Sequence, residues 1–224
     1  MENLITCPIC LKSGAFREHI SKCQFNSTEI RRHECSFCGV VFGTKQMIEM
    51  PLCQIKDEYR KLYETYHEGN TTRFEMASFM LVNPSTTGRY LNYGAGKWSQ
   101  SINQLRDRGF DIVGYEPFCP PTGPTAISAM DPAGAFDAII SHNLIEHLQD
   151  PVNDFRRMRG MLSLGGKMAH STACYDYRHH ETRFHLFFFT GESIQVLAKR
   201  SGLKFSQRVD YPDYSCCVFE RNND

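Results

Sequence analysis

Four cysteines near the start of the chain form two close pairs, Cys7 and Cys10 in "CPIC" and Cys35 and Cys38 in "CSFCG", separated by residues 11–34. Each CxxC turn aims two sulfurs at one centre and Gly39 relaxes the second turn, so the pairs together make a tetrahedral thiolate set suited to zinc. A second set competes for the same ion. "CPICLKSGAFREHISKC" offers Cys7, Cys10, His19 and Cys23, the last two one helical turn apart. The four-cysteine set is favoured because the alternative loop is cramped and leaves the second CxxC turn without a task. Cys53, Cys119, Cys174, Cys216 and Cys217 have no spacing partner and read as reduced thiols.

Two further groups of residues carry chemistry. In "LNYGAGKWSQ", Gly94 and Gly96 follow an apolar run and precede a helical one, and without Cβ atoms they let a nucleotide-like ligand approach the backbone amides. Glu116 ends "FDIVGYEP", 20 residues beyond Gly96, where a carboxylate can accept hydrogen bonds from both hydroxyls of a ribose. The other group is histidine-rich. His142 and His147 lie in "SHNLIEH", and His185 precedes "LFFFTGESI", a segment expected to return over the pocket. Imidazoles suit proton transfer near neutral pH, with His142 the first candidate base. Glu146, His147 and His185 are also a chemically adequate set for a divalent ion.

These groups need a frame. In "CQIKDEYRKLYETYHEG", Ile55, Tyr59, Leu62 and Tyr66 recur at helical spacing, a stripe read as core or, alternatively, as the lining of a substrate entrance. A second helix, "TTRFEMASFMLV", stops at "NPSTTG". Beyond it strand and helix patterns alternate: "RYLNYG", "FDIVGYE", "FDAIIS" and "KMAHST" read as strands, with "WSQSINQLRDRG", "VNDFRRMRGMLSLGG" and "GESIQVLAKRSG" as helices. "LKFSQRV" and "YSCCVFE" close the chain as strands. Such alternation predicts an α/β fold with a mostly parallel sheet, which binds ligands at the carboxyl ends of its strands. The division that follows is a zinc ribbon over 1–52, a helical connecting segment over 53–86 and an α/β domain over 87–224.

Composition limits the partners. Of 224 residues, 25 are Lys or Arg and 25 are Asp or Glu, so no broad field holds the chain on nucleic acid or an anionic membrane. "MENLITCPIC" lacks an export signal and no run approaches the roughly 20 apolar residues of a membrane span, so a reducing cytoplasmic setting is expected, where clustered thiols hold metal.

The segments "YLNYGAGKWSQSINQLRDRGFDIVGYEP", "FDAIISHNLIEHLQDP", "MLSLGGKM" and "HLFFFTGESIQVLAKRSGLK" together resemble class I S-adenosylmethionine-dependent methyltransferases, from about Arg89 to the C-terminus. The N-terminal "CPxC…CxxCG" pattern is similar to that of sugar and natural-product methyltransferases with a small zinc domain. The resemblance implies a Rossmann-like sheet with an antiparallel last strand. It also implies that Tyr93, Gly94, Gly96, Glu116, Met130, Asp131, Ser141 and His142 bind the cofactor: the glycines at its amino-acid end, Glu116 at the ribose, Met130 or Asp131 near the adenine, and Ser141 and His142 near the sulfonium.

Three departures from the family pattern stand out. Asn92 replaces an acidic residue, Trp98 replaces a third glycine, and "PFCPPTGPT" is too short and proline-rich for the usual helix. The implied function is methyl transfer to a small molecule, a sugar or related metabolite by resemblance. The alternatives are a metal-assisted RNA 2'-O-methyltransferase, since Glu146, His147 and His185 resemble that branch's ligand set, and a non-catalytic binding protein on the same scaffold. A nicotinamide-dependent oxidoreductase fits less well, because Gly94-Ala95-Gly96-Lys97-Trp98-Ser99 offers no third glycine.

Overall fold

The computed structural model describes residues 4–67, 69–96, 99–116, 126–127 and 134–222. Each cysteine pair sits in a tight turn closed by backbone bonds, Leu11 N–H to Cys7 O and Gly39 N–H to Cys35 O, both 2.9 Å. Strands β1 (Ile5–Thr6) and β2 (Ser13–Gly14) flank the first turn. The hairpin of β3 (Arg17–Lys22) and β4 (Glu29–Glu34) leads into the second, and β5 (Val41–Phe42) leaves it. Helix α1 (Lys45–Ile48) starts where Thr44 Oγ1 accepts from Met47 N–H at 3.3 Å, a side-chain cap beside the backbone bond from the same N–H to Thr44 O at 3.1 Å. Helix α2 (Leu52–Thr65) buries Ile55 and Tyr59, and α3 (Thr72–Leu81) buries Glu75, Ser78 and Phe79. No helix among the described residues is long and apolar enough to cross a membrane.

The α/β half alternates as its periodicity predicts. Strand β6 (Arg89–Tyr93), helix α4 (Ser101–Asp107), strands β7 (Asp111–Tyr115), β8 (Ala126–Ile127) and β9 (Phe136–His142), and helix α5 (Pro151–Met161) follow in turn. Then come strands β10 (Leu162–Thr172) and β11 (Phe187–Phe188), helix α6 (Ser193–Arg200) and the hairpin of β12 (Leu203–Asp210) and β13 (Ser215–Arg221). The main sheet has the order β12-β13-β10-β9-β6-β7-β8, and only β13 runs against the rest. β9 is apolar on both faces, with Ala138, Ile139 and Ile140 all buried, as a parallel strand covered by helices on both sides requires. One face carries α3 and α4 over Phe79, Tyr90, Leu105 and Ile112; the other carries α5 and α6 over Leu91, Phe155, Leu197 and Phe219.

One element boundary differs from the sequence reading. The helix expected across "VNDFRRMRGMLSLGG" ends at Met161, and Leu162–Thr172 is one strand. Gly165, at φ 71°, sits where the pairing with β9 is interrupted between Leu162 and Lys167, so glycine freedom serves an irregular strand instead of a helix end.

The N-terminal unit is not a separate body. β5 pairs antiparallel with β11, residue Phe42 opposite Phe187, so a strand from the α/β half completes the four-stranded sheet β11-β5-β4-β3. Cys7, Val40, Phe42 and Met47 pack into the same apolar cluster as Phe155, Phe187 and Leu197.

Candidate active site

A cleft of about 380 Å³ opens at the carboxyl ends of β6, β7, β9 and β10. The turn after β6 forms one wall. Tyr115 O accepts from Gly94 N–H (2.8 Å) and Ala95 N–H (3.1 Å), while Glu116 Oε2 accepts from Gly96 N–H (3.1 Å). Both glycines are left-handed, φ 75° and 58°, and a Cβ on Gly94 would come within 2.7 Å of Leu144 Cδ1. Position 94 therefore demands glycine by torsion, and a larger residue there would also have to move the end of the Leu144 side chain.

The opposite wall is aromatic and histidine-rich. His142 stacks on Phe74 at 5.0 Å and shares a hydrogen bond between Nδ1 and Ser171 Oγ at 2.8 Å; burial lowers its pKa to about 4. His147 Nδ1–H donates to Phe184 O at 2.8 Å and His185 Nδ1–H donates to His179 O at 2.9 Å, so in each neutral ring the lone pair resides on Nε2. Glu146 is buried: Oε1 accepts from Thr172 Oγ1 at 2.5 Å, Oε2 has no hydrogen-bond partner, and burial raises its pKa to about 7. Glu146, His147 and His185 each bring one ligand-type atom within 4.8 Å of the others. Burial and the neighbouring His147 push the His185 pKa well below its ordinary value.

Cys7, Cys10, Cys35 and Cys38 also converge, with Sγ–Sγ separations of 3.7 Å (Cys7–Cys38) and 3.6 Å (Cys10–Cys35). Thiolates at about 2.3 Å from zinc stand about 3.8 Å apart on a tetrahedron, so the cluster has the dimensions of that ion. His19 does not join it. Its Nε2 pairs with Glu34 Oε2 at 2.7 Å on β3, and Cys23 is buried elsewhere, its N–H on Thr28 O.

Of the other candidates, Gly94, Gly96, Glu116, His142, His147 and His185 line the one cleft. Ser141 and Tyr93 do not: Ser141 Oγ turns to His170 Nδ1 at 2.7 Å, and Tyr93 is buried against Tyr115. Met130, Asp131, Trp98 and the "PFCPPTGPT" stretch lie outside the described residues. Tyr59, Leu62 and Tyr66 of the α2 stripe line the cleft while Ile55 is core, so the stripe serves both expected ends.

Two features escaped the sequence reading. Phe25, on the hairpin turn of the N-terminal unit, reaches the cleft and meets Tyr66 and Phe184 edge-on. Arg32 on β4 is fully buried and spreads its guanidinium over His180 O (2.8 Å), Thr182 O (2.6 Å) and His185 O (3.1 Å), with Phe188 at 5.0 Å. No local pattern announces either, because their partners lie 41 or more residues away in the chain.

Residues 71–207 match the family model described as "Methyltransferase domain". None of the curated proteins matches the chain. Among solved structures it is similar to Burkholderia thailandensis 1,6-didemethyltoxoflavin-N1-methyltransferase, bound to 1,6-didemethyltoxoflavin and S-adenosylhomocysteine, with TM-score 0.60 and 13% identity over 90% of this chain and 100% of that one. A structure of the complex containing the Haloferax volcanii Trm112 methyltransferase activator matches at TM-score 0.54 and 10% identity (65% and 88% covered). The PH0226 protein of Pyrococcus horikoshii OT3 matches at 0.52 and 17% (74% and 99% covered).

Proposed function

The chain belongs to the methyltransferase-domain family as a class I S-adenosylmethionine-dependent enzyme, and on that premise we propose that it methylates a small-molecule acceptor in the cleft beside the Gly94–Gly96 turn. The observation that carries this is the shared cleft: the glycine turn and Glu116 on one side, His142, His147 and His185 on the other. The left-handed glycines and the carboxylate at Gly96 N–H fit an adenosyl amino acid, which when bound supplies an electrophilic methyl group. Gly94, Gly96 and Glu116 would hold that cofactor. His142, neutral at pH 7, would take the acceptor's proton, and the aromatic wall would orient the acceptor and exclude water.

Among the described lining residues four are acidic and none is Lys or Arg, which favours an uncharged or cationic acceptor over a phosphate-bearing one such as RNA. The small-molecule acceptor named for the Burkholderia enzyme agrees with that choice. A sugar or related metabolite remains the class implied by resemblance. The test is titration calorimetry of the wild-type protein with S-adenosylmethionine and S-adenosylhomocysteine. Binding of both is expected, and binding of neither at millimolar concentration sinks the reading.

In the N-terminal unit, Cys7, Cys10, Cys35 and Cys38 would hold one structural zinc, supported by the tetrahedral spacing of their sulfurs.

A second reading of the histidine wall has its own support. His147 and His185 each bring a ring nitrogen within 4.8 Å of a Glu146 carboxylate oxygen, and with both Nδ1–H groups on backbone carbonyls Nε2 is the nitrogen chemically able to ligate, so the set would take a divalent ion. Such an ion would activate an acceptor hydroxyl. Manganese binding followed by electron paramagnetic resonance should show one site that Glu146→Gln abolishes while zinc content stays constant; identical binding in the variant removes this reading.

A further inference from the structure

Beneath the glycine turn lies a buried acid with no part in the site so far. Glu75 on α3 collects three hydrogen bonds: Oε1 accepts from Thr71 Oγ1 at 2.6 Å, and Oε2 from Asn92 Nδ2 and from Ser101 Oγ, both at 2.5 Å. Asn92 stands two residues before Gly94 and Ser101 opens α4, so one carboxylate grips both ends of the segment that contains the turn. Thr72 adds a parallel clamp, its Oγ1 accepting from Gln100 N–H at 2.9 Å. Hydrogen bonds to a carboxylate are about twice as strong as neutral ones, which suits a holding role.

The charge itself is the anomaly. All three donors are neutral, and among the described residues no Arg, Lys or His forms an ion pair with Glu75. A buried carboxylate without a counter-ion is costly, and its field acts strongly on whatever binds nearby.

We propose that Glu75 is a positioning residue for the cofactor turn and that its charge makes the site prefer cationic S-adenosylmethionine over the S-adenosylhomocysteine product. The inference rests on the cofactor reading above. Substrate and product share every group except the methyl and the positive charge on sulfur, so a fixed negative charge under the turn stabilises the first more than the second. That difference favours product release.

The test exchanges the two partners. Glu75→Gln keeps shape and removes charge, and Asn92, whose Oδ1 is buried without a hydrogen-bond partner, can turn its amide to meet the new N–H. Glu75→Gln with Asn92→Asp moves the carboxylate across the same hydrogen bond and restores it. By calorimetry, Glu75→Gln should weaken S-adenosylmethionine on the order of tenfold and S-adenosylhomocysteine by less than about twofold, with the double variant recovering most of the difference. Equal losses for both ligands, no loss, or no recovery overturn the proposal and leave Glu75 a structural residue. If Glu75→Gln fails to fold, the double variant decides alone: a substrate-to-product affinity ratio within about twofold of wild type is expected, and its collapse is the contrary result. Wild-type protein that binds neither ligand defeats the cofactor reading itself, an outcome distinct from binding without the split.

Discussion

Gly94 sets the strictest demand of any single residue in the cleft. Valine there has to adopt φ near 75° and displace Leu144, so Gly94→Val should abolish cofactor binding and lower stability by about 1–3 kcal/mol, read by calorimetry and thermal denaturation. Glu116→Ala should leave stability nearly unchanged and weaken the cofactor by about 1.5–3 kcal/mol, the worth of a charge-assisted contact. His142 tests the chemistry. If it is the base, His142→Ala keeps cofactor affinity and loses turnover. Because burial lowers its pKa to about 4, the unprotonated base is present at all higher pH, and the acid limb of kcat/KM in the wild type should fall near pH 4. A limb near the ordinary histidine value of about 6.5 would point to a different base.

Single elements of secondary structure meet function at the β5–β11 pair and the Arg32 clamp. Arg32 holds the backbone carbonyls of residues 180, 182 and 185 from β4, and thereby sets where His185 stands. Arg32→Ala leaves His180 O to Ser21 Oγ alone and removes the guanidinium donor from Thr182 O and His185 O, and should cost about 2–4 kcal/mol; Arg32→Lys, a single point donor, should recover only part. Hydrogen exchange over residues 179–185 should quicken in both variants, and unchanged protection would show that the loop holds itself. Element type was readable wherever periodicity was long, as in α2 and α6. "LFFFTGESI" reads as a segment returning over the pocket, yet a two-residue strand has no period to read and its partner lies in the N-terminal unit. The early end of α5 has a similar cause, since glycines 165 and 166 favour a helix stop and an irregular strand alike.

Over the whole molecule, the N-terminal unit and the α/β half share one core and one cleft, so loss of metal at one end should reach the other. Cys35→Ser should release the zinc, lower Tm and loosen the wall that Gln24 and Phe25 contribute, measurable as metal content and weaker acceptor binding. Full zinc in that variant would refute the four-cysteine assignment. What the amino-acid order determined by itself was whatever depends on short spacing: the two CxxC turns, the glycine turn with Glu116 20 residues on, the alternation of strand and helix, and the histidine-rich stretch after β9. Covalent geometry and helical or strand period act over a few residues and leave a local mark. Tertiary structure alone decided which thiols meet, that His19 turns to Glu34, that Ser141 faces His170 and not the cleft, and that the buried acid beside Asn92 comes from Glu75 on another element. Those outcomes depend on which distant surfaces exclude water together, and burial between remote segments has no signature in the spacing of either one.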